Sequence, residues 1–362
     1  MGTKCVPTFG NPHGYGQVQA FLRWSQWLAR IAFVDEDVVM LNIDETAVER
    51  LIPHRQGNSI VFRPLSVAAA QVYERIARRD SHGHVTLMGC VSSVPELQQW
   101  LPQFVLANDG KLSRAEKMRL RALLAPFVWL EGCAGWVNSE SFCAILTRLR
   151  RAVLRLRPGA RLVIACDPAS QHTTQQVISH AARLRVQLLF IPGRLTWLMQ
   201  PLDTHVFGAF KQRLHHVQCS ARARSSDGTL PSTAWIDFLE TVVREFLVEK
   251  SWHTCFHENG LFGIEDALRE RIRQAGVISA AIVAAPPTDA DLAVILGRRR
   301  PGLAARLNRA PSQLLSHDAA PALSEDTPPP GGDGSLVAVA AAPALGHPAP
   351  IASRTRSHMS LL

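Results

Sequence analysis

Three aspartates stand where apolar runs end or a helix begins. Asp44 closes Val38-Val39-Met40-Leu41-Asn42-Ile43, and Asp167 closes Arg161-Leu162-Val163-Ile164-Ala165-Cys166. Asp203 ends Gln200-Pro201-Leu202-Asp203, ahead of a helix-like stretch, with 35 residues between it and Asp167. Strand ends and nearby helix starts bring together carboxylates that are distant in the chain. Gathered carboxylates are the ligands that two divalent metal ions need in phosphoryl-transfer chemistry. Taken singly, Asp167 before Pro168 also reads as a helix cap, Asp44 as a turn residue and Asp203 as a cap. No GxSxG elbow, P-loop or GxGxxG opens another enzymatic class. Zinc matches poorly: His253, Cys255 and His257 lack paired finger spacing, and so do His215, His216 and Cys219.

The elements that must position these acids follow from periodicity. Val18, Phe21, Leu22, Leu28 and Ile31 recur at helical spacing and place a helical segment in residues 1–34. Strands are expected over 36–44, 59–62, 84–91 and 104–107, with a helix over 66–79. Short connections favour an antiparallel meander. The pattern then changes. Asn138-Ser139-Glu140-Ser141 can cap a helix whose apolar residues run from Phe142 to Leu156 and stop at Pro158-Gly159. The strand Arg161–Cys166, a helix from Asp167-Pro168 to Leu184 and the strand Val186–Ile191 come next. That alternation implies a right-handed parallel crossover. Helices are expected over His205–Val217, Thr233–Lys250 and Ile264–Ala275, with a loop over 218–231. From Pro286 onward Pro, Ala, Gly and Ser dominate. The tail 286–362 is expected to be disordered and to contribute little to folding, because it buries too little apolar surface to offset its ordering entropy.

A meander followed by alternating helix and strand is the order of an α/β, RNase H-like fold. Its sheet is mixed, with the first three strands antiparallel, the later ones parallel, and flanking helices. The first strand lies beside the first parallel strand, so Asp44 and Asp167 become neighbours across 122 intervening residues. The third acid arrives on the helix after the last strand.

Composition narrows the partner. The 362 residues carry a formal charge of +9, which points to a polyanion, nucleic acid before an anionic membrane surface. Arg148, Arg151 and Arg155 share one helix face, set either against phosphate backbone or in solvent. Lys211 and Arg213, just past Asp203, are better placed for DNA near the acids. The seven cysteines are scattered without a CxxC pair, which fits free thiols in a reducing compartment. No apolar stretch reaches the ~18 residues of a membrane span, and the first residues lack a signal-peptide core. An intracellular protein without a membrane partner is expected.

Asn42-Ile43-Asp44-Glu45-Thr46 resembles the first-acid motif of DDE-superfamily transposases of the mariner/pogo type. Gly135-Trp136-Val137-Asn138-Ser139-Glu140-Ser141-Phe142 is similar to the stretch entering that family's next helix. Asp167-Pro168-Ala169-Ser170-Gln171-His172-Thr173 resembles the second-acid motif, and Phe190 to Asp203 resembles the stretch that ends in the third. Val206-Phe207-Gly208-Ala209-Phe210-Lys211 matches the following helix, and Trp252, Phe256 and Gly260 the closing motif. The pogo, jerky and centromere-binding-protein-B branch matches best, because its third acid is Asp within Gln-Pro-Leu-Asp. The resemblance covers residues 36–263.

It implies a catalytic domain over 35–275 in which Asp44, Asp167 and Asp203 hold two Mg²⁺ or Mn²⁺ ions. One ion would activate water and later a DNA 3′-hydroxyl, and the other would stabilise the leaving oxygen. It also implies DNA as partner, the nucleus as location and a homodimer as a compatible assembly. Glu45 points to the opposite strand face and is expected outside the metal site. His172, five residues past Asp167, either supports the site or only stands beside it. There are two departures from the family. Pro168 stands where many relatives have Asn, and the 43 residues before Asp44 are too few for a pair of helix-turn-helix modules. They leave an alternative open: a non-catalytic, domesticated DNA-binding or interaction protein of the same descent.

The positive charge and the arginine-bearing helix predict DNA binding with little sequence preference. In filter-binding or anisotropy titrations, affinity falls steeply between about 50 and 200 mM salt. Replacing Arg148, Arg151 and Arg155 together flattens that dependence. Tight binding to one sequence at high salt would contradict it.

Overall fold

The middle of the sheet is built from runs that are apolar on both faces. β1 (Val38–Glu49) buries residues 39–43 without a break. β5 (Arg161–Cys166) buries all but its first residue, and β6 (Val186–Phe190) all but Gln187. Strands of that kind need cover above and below. Past Glu45 the pattern alternates, with Thr46 and Val48 buried and Ala47 exposed. There β1 has outrun β5 and pairs only with β2 (His84–Ser92).

The computed structural model describes residues 12–29, 37–50, 84–132, 135–225, 230–261 and 283–308. All of them fall in one unit spanning 1–316. β1, β2 and β3 (Gln103–Leu106) are antiparallel, and β5 and β6 continue the sheet in parallel on the other side of β1. β4 (Phe127–Leu130), which the sequence pattern does not mark, adds in parallel to β3 at the edge. The order is β4-β3-β2-β1-β5-β6, the mixed RNase H-like sheet that the element order predicts. The β1–β5 register pairs Asn42 with Ala165. Carried two residues further, it sets Asp44 level with Asp167.

The helices follow their capping and apolar spacing. α1 (Pro12–Trp27) buries Val18, Phe21, Leu22 and Trp24. The Trp24 ring lies 6.4 Å from that of Phe190 on β6, so this helix joins the core of the sheet and is not a segment apart. α2 (Arg114–Arg121), also unmarked by periodicity, opens on a reciprocal cap between Ser113 and Glu116. In α3 (Ser139–Leu156) the Asn138 side chain accepts the Ser141 N–H, and the Ser141 hydroxyl accepts the Asn138 N–H. Its buried face is Phe142, Ile145, Leu146, Leu149 and Val153.

Three expectations are corrected. The helix expected from Asp167 begins only at Gln175, as α4 (Gln175–Arg183). The residue before a proline is disfavoured in the α region, and the Thr174 side chain caps the N–H of Val177. After α5 (Thr196–Met199), α6 (Phe207–Arg224) runs well into the stretch expected to be loop. α7 (Ala234–Val243) and α8 (His253–Glu258) follow. The third correction concerns the tail. α9 (Asp289–Leu296) and α10 (Leu303–Leu307) lie within it and bury Leu292, Ile295, Leu296, Leu303 and Leu307. Gln17 of α1 donates to the Val294 carbonyl (3.0 Å), and Arg23 pairs with Asp291 (3.4 Å). Tail composition averages over these leucines and hides them. The elements expected at 59–62, 66–79 and 264–275, with the tail beyond 308, lie outside the described residues. No helix among the described residues is long and apolar enough to cross a membrane.

Leu292 is fully buried, so Leu292→Ala removes core contacts and leaves a cavity. Thermal or urea denaturation should show a loss of about 2–5 kcal/mol. An unchanged midpoint would mean that α9 does not pack on the domain.

Candidate functional site

An asparagine inside an apolar run must find partners or incur a desolvation penalty. Asn42, within Val38–Ile43, is fully buried and finds two. Its Nδ2 donates to the Ala165 carbonyl of β5 at 3.0 Å, and its Oδ1 accepts the Leu202 N–H at 2.9 Å. Asp44 lies two residues beyond Asn42, Asp167 two beyond Ala165, and Asp203 one beyond Leu202. One side chain therefore ties together the three segments that carry the acids. The motif around Asp44 by itself gives Asn42 no role. Its signal in the sequence is that it is the one polar residue in that apolar run.

Two further features seat Asp203. Gly89 on β2 pairs directly with Asp44, and a Cβ there would come within 3.2 Å of the Phe207 ring and 3.5 Å of Leu202. The missing side chain lets the start of α6 approach the sheet next to Asp44. Residues Leu202–Val206 form a π-helical turn, the kind of irregularity that re-aims a side chain at functional sites. Asn259, fully buried, donates to the Leu198 carbonyl (3.1 Å) and to the Thr204 hydroxyl (2.9 Å), fixing this turn from α8.

The acids feel one another. Burial first, then the charges of Asp203 and Asp167, push the Asp44 carboxyl well above the usual carboxylate range. Part of the Asp44 surface still meets solvent, yet burial and repulsion act in the same direction. The N–H of Glu45 donates to Asp44 Oδ1 at 2.8 Å and partly offsets this. The Cys166 thiol between the strands is raised by burial and then by Asp167 and Asp44, so it stays a neutral thiol. As they stand, no three His, Cys, Asp or Glu groups among the described residues are drawn tightly enough to enclose an ion.

His172 is where the structure adds most. It is 2% exposed and stacks on Phe142, ring centroids 4.1 Å apart at 23°. Its Nδ1 lies 2.8 Å from Asp167 Oδ1 and 3.2 Å from the Asp167 carbonyl oxygen. Nε2 is 3.4 Å from Glu45 Oε1, an ion-pair separation without hydrogen-bond geometry. Burial alone would lower its pKa. The bonds to Asp167, the contact with Glu45 and the Asp167 charge outweigh that and raise it to about 9. His172 is thus an imidazolium at neutral pH, supporting Asp167. Glu45, expected on the far face, is brought to the site's margin through this histidine.

The basic residues divide. Arg148, Arg151 and Arg155 are exposed on one face of α3. The start of α3 faces the acid loop, where the Ser139 hydroxyl donates to the Gln171 carbonyl at 3.2 Å. At 1.5 Å per residue, Arg148 lies about 14 Å along the helix from that end. Lys211 is exposed, its Nζ 6.0 Å from the Phe207 ring. Arg213 is paired with Glu245 at 2.9 Å.

Asp44 and Asp167 thus lie level with each other where the parallel pairing of β1 and β5 ends, in a mixed RNase H-like sheet. Residues 85–252 match the family model described as DDE superfamily endonuclease. Asp167 and Asp203 fall inside the matched stretch and Asp44 before it. No curated protein matches in sequence. Among solved structures, a pre-cleavage Mos1 transpososome is similar at 15% identity and TM-score 0.45, covering 77% of this chain and 68% of that one. The catalytic domain of Mos1 mariner transposase is similar at 14% and 0.42, covering 76% and 100%. A Mos1 complex with Mn gives 16% and 0.44, covering 77% and 68%.

The pH behaviour of His172 can be tested in metal-free buffer. Its folded pKa lies above the unfolded value of about 6.5. Its stabilisation is therefore full below about pH 6.5 and is lost as pH rises through about 9. The loss is on the order of 3 kcal/mol as an upper bound, because Asp167 is one-third exposed and partly screened. Between about pH 6 and 10, the melting temperature of His172→Gln should fall less than that of wild type. An identical fall in both proteins would refute the coupling.

Proposed function

We propose that this domain is a transposon-derived DDE endonuclease that cuts DNA phosphodiesters, with Asp44, Asp167 and Asp203 as its acids. What supports the reading is that the charges of Asp203 and Asp167 act on Asp44, on three segments that Asn42 ties together, in a chain with an endonuclease family match. The nucleus, which the family resemblance implies, would be its place of action.

The residues present fit a hard divalent cation. Three carboxylates offer oxygen ligands, and the repulsion that raises Asp44 calls for a counter-charge. The Gln200 amide beside them is fully buried and supports the charged form of Asp44. Mg²⁺ or Mn²⁺, held by Asp44, Asp167 and Asp203, would supply charge neutralisation at the scissile phosphate and activation of the attacking oxygen. The chain's own part is positional. Asn42 sets the spacing of the acids, His172 fixes the Asp167 carboxylate, and the basic surface of α3 with Lys211 contributes affinity through phosphate contacts that carry no sequence information.

A second reading, a DNA-binding protein that no longer cuts, is favoured by Pro168 in place of the family's Asn. Supercoiled-plasmid nicking decides between them. Wild type should nick in Mg²⁺ or Mn²⁺ and not in EDTA. Asp44→Asn, Asp167→Asn and Asp203→Asn should each lose at least about 100-fold in rate, near the contribution of one essential charge-stabilising group, while binding duplex DNA in EDTA as wild type does. Wild-type protein that binds DNA yet never nicks establishes the second reading. Nicking that survives loss of Asp44 removes it from the site.

A further inference from the structure

The loop from Asp167 to Thr174 lacks regular secondary structure, so neighbours must hold it. α3 supplies one side. Ser139 donates to the Gln171 carbonyl, and the Thr174 and Ser139 hydroxyls are 3.1 Å apart. The other side comes from the far end of the described chain. The Arg298 Nη2 donates to the Pro168 carbonyl at 3.4 Å and to the hydroxyl of Thr173, which is 3% exposed. Arg306 on α10 donates to the Gln175 side chain at the start of α4.

The hairpin that presents Arg298 is itself fixed. Gly297, at φ 65°, ends α9 in the left-handed region open to glycine and turns the chain back. The Asp289 carboxylate accepts the N–H groups of Gly302 (2.7 Å) and Ala304 (2.9 Å), closing α9 onto α10. Gln17 and Arg23 tie α9 to α1. The Arg298 Nε is buried without a partner, so the guanidinium sits in an enclosed place where its contacts are little screened.

We propose that Arg298 is a positioning residue for Asp167: through Pro168 and Thr173 it straps the acid loop in the conformation that presents the carboxylate. The proposal rests on the reading of Asp167 as a metal-binding acid. In this role Arg298 acts through its bonds to the Pro168 carbonyl and the Thr173 hydroxyl beside that acid. This makes the hairpin of α9 and α10 part of the active-site scaffold, although 130 residues separate Arg298 from Pro168.

The test uses Arg298→Ala, Arg298→Lys and Thr173→Val in the full chain. Mn²⁺ binding to DNA-free protein is followed by electron paramagnetic resonance. Backbone exchange over 167–175 is followed by hydrogen–deuterium mass spectrometry. Arg298→Ala should weaken Mn²⁺ binding about 10-fold, the range for groups that orient metal ligands, and speed exchange in that loop. Metal-free duplex affinity should stay within about 2-fold of wild type, well short of losing a strong phosphate contact. Thr173→Val should reproduce part of the effect without removing a charge, and lysine should restore part of it. Loss of duplex affinity in parallel with Mn²⁺ binding would overturn the proposal in favour of a phosphate contact. Unchanged exchange and Mn²⁺ binding in Arg298→Ala would overturn it outright. If that variant fails to fold, unchanged exchange and Mn²⁺ binding in Thr173→Val overturn it equally. Wild type that neither binds Mn²⁺ nor nicks would instead remove the metal-site reading, and with it this role.

Discussion

The acid edge depends on a single buried side chain. Asn42 donates from its amide nitrogen to β5 and accepts with its amide oxygen from the turn before α6, so one side chain links the paired strands to a segment outside the sheet. Each bond adds about 1 kcal/mol net. Leaving the Leu202 N–H and the Ala165 carbonyl unpaired in the interior would cost about 1–3 kcal/mol apiece. The asymmetry matters more than the sum. Once β1 and β5 are in register, the turn before α6 has one seat that satisfies its leading N–H, and that seat places Asp203 beside Asp44. Gly89 eases access to the seat, since a side chain there would crowd Phe207.

Electrostatics at this edge are left unbalanced on one side and balanced on the other. Asp44 is burdened by burial and by its neighbours' charges, which the Glu45 backbone N–H and the Gln200 side chain offset only in part. Asp167 is held by an imidazolium that Glu45 also faces and that Phe142 keeps flat. Rigid support on one acid and unrelieved repulsion on another suit a site that takes up a cation. The apo edge carries a penalty that counter-charge removes, and the supported acid does not have to reorganise.

Both ends of the described chain are built into the scaffold. α1 packs Trp24 toward Phe190 of β6, and α9 lies on α1. The turn after α9 reaches the loop behind the second acid. Pro168 has no N–H and disfavours a helical Asp167, so the loop is held from within only by short-range bonds such as that from the His172 N–H to the Ala169 carbonyl. Contacts from α3, His172 and Arg298 replace what a helix would have supplied.

Local pattern determined the elements and where the acids lie on them. Unbroken apolar runs specified β1, β5 and β6, reciprocal capping specified α3, and the order of strands and helices specified the mixed sheet with Asp44 and Asp167 adjacent. These are legible because the physics is local: side-chain alternation, helical spacing and the fates of the first N–H groups. What tertiary structure alone decided is who meets whom at long range. Asn42 finds partners 123 and 160 residues away, His172 joins Asp167 to Glu45 across two elements, and Arg298 reaches Pro168 from a stretch whose composition reads as disordered. The short edge strand β4 has four residues, too few to show a period. The leucines of α9 and α10 look sparse in a Pro/Ala-rich tail, and only the packed surface of α1 makes them a core. A buried polar residue announces in the sequence that it needs a partner. Its identity is fixed only when the fold closes, because the free energy of that choice belongs to the pair and not to either residue.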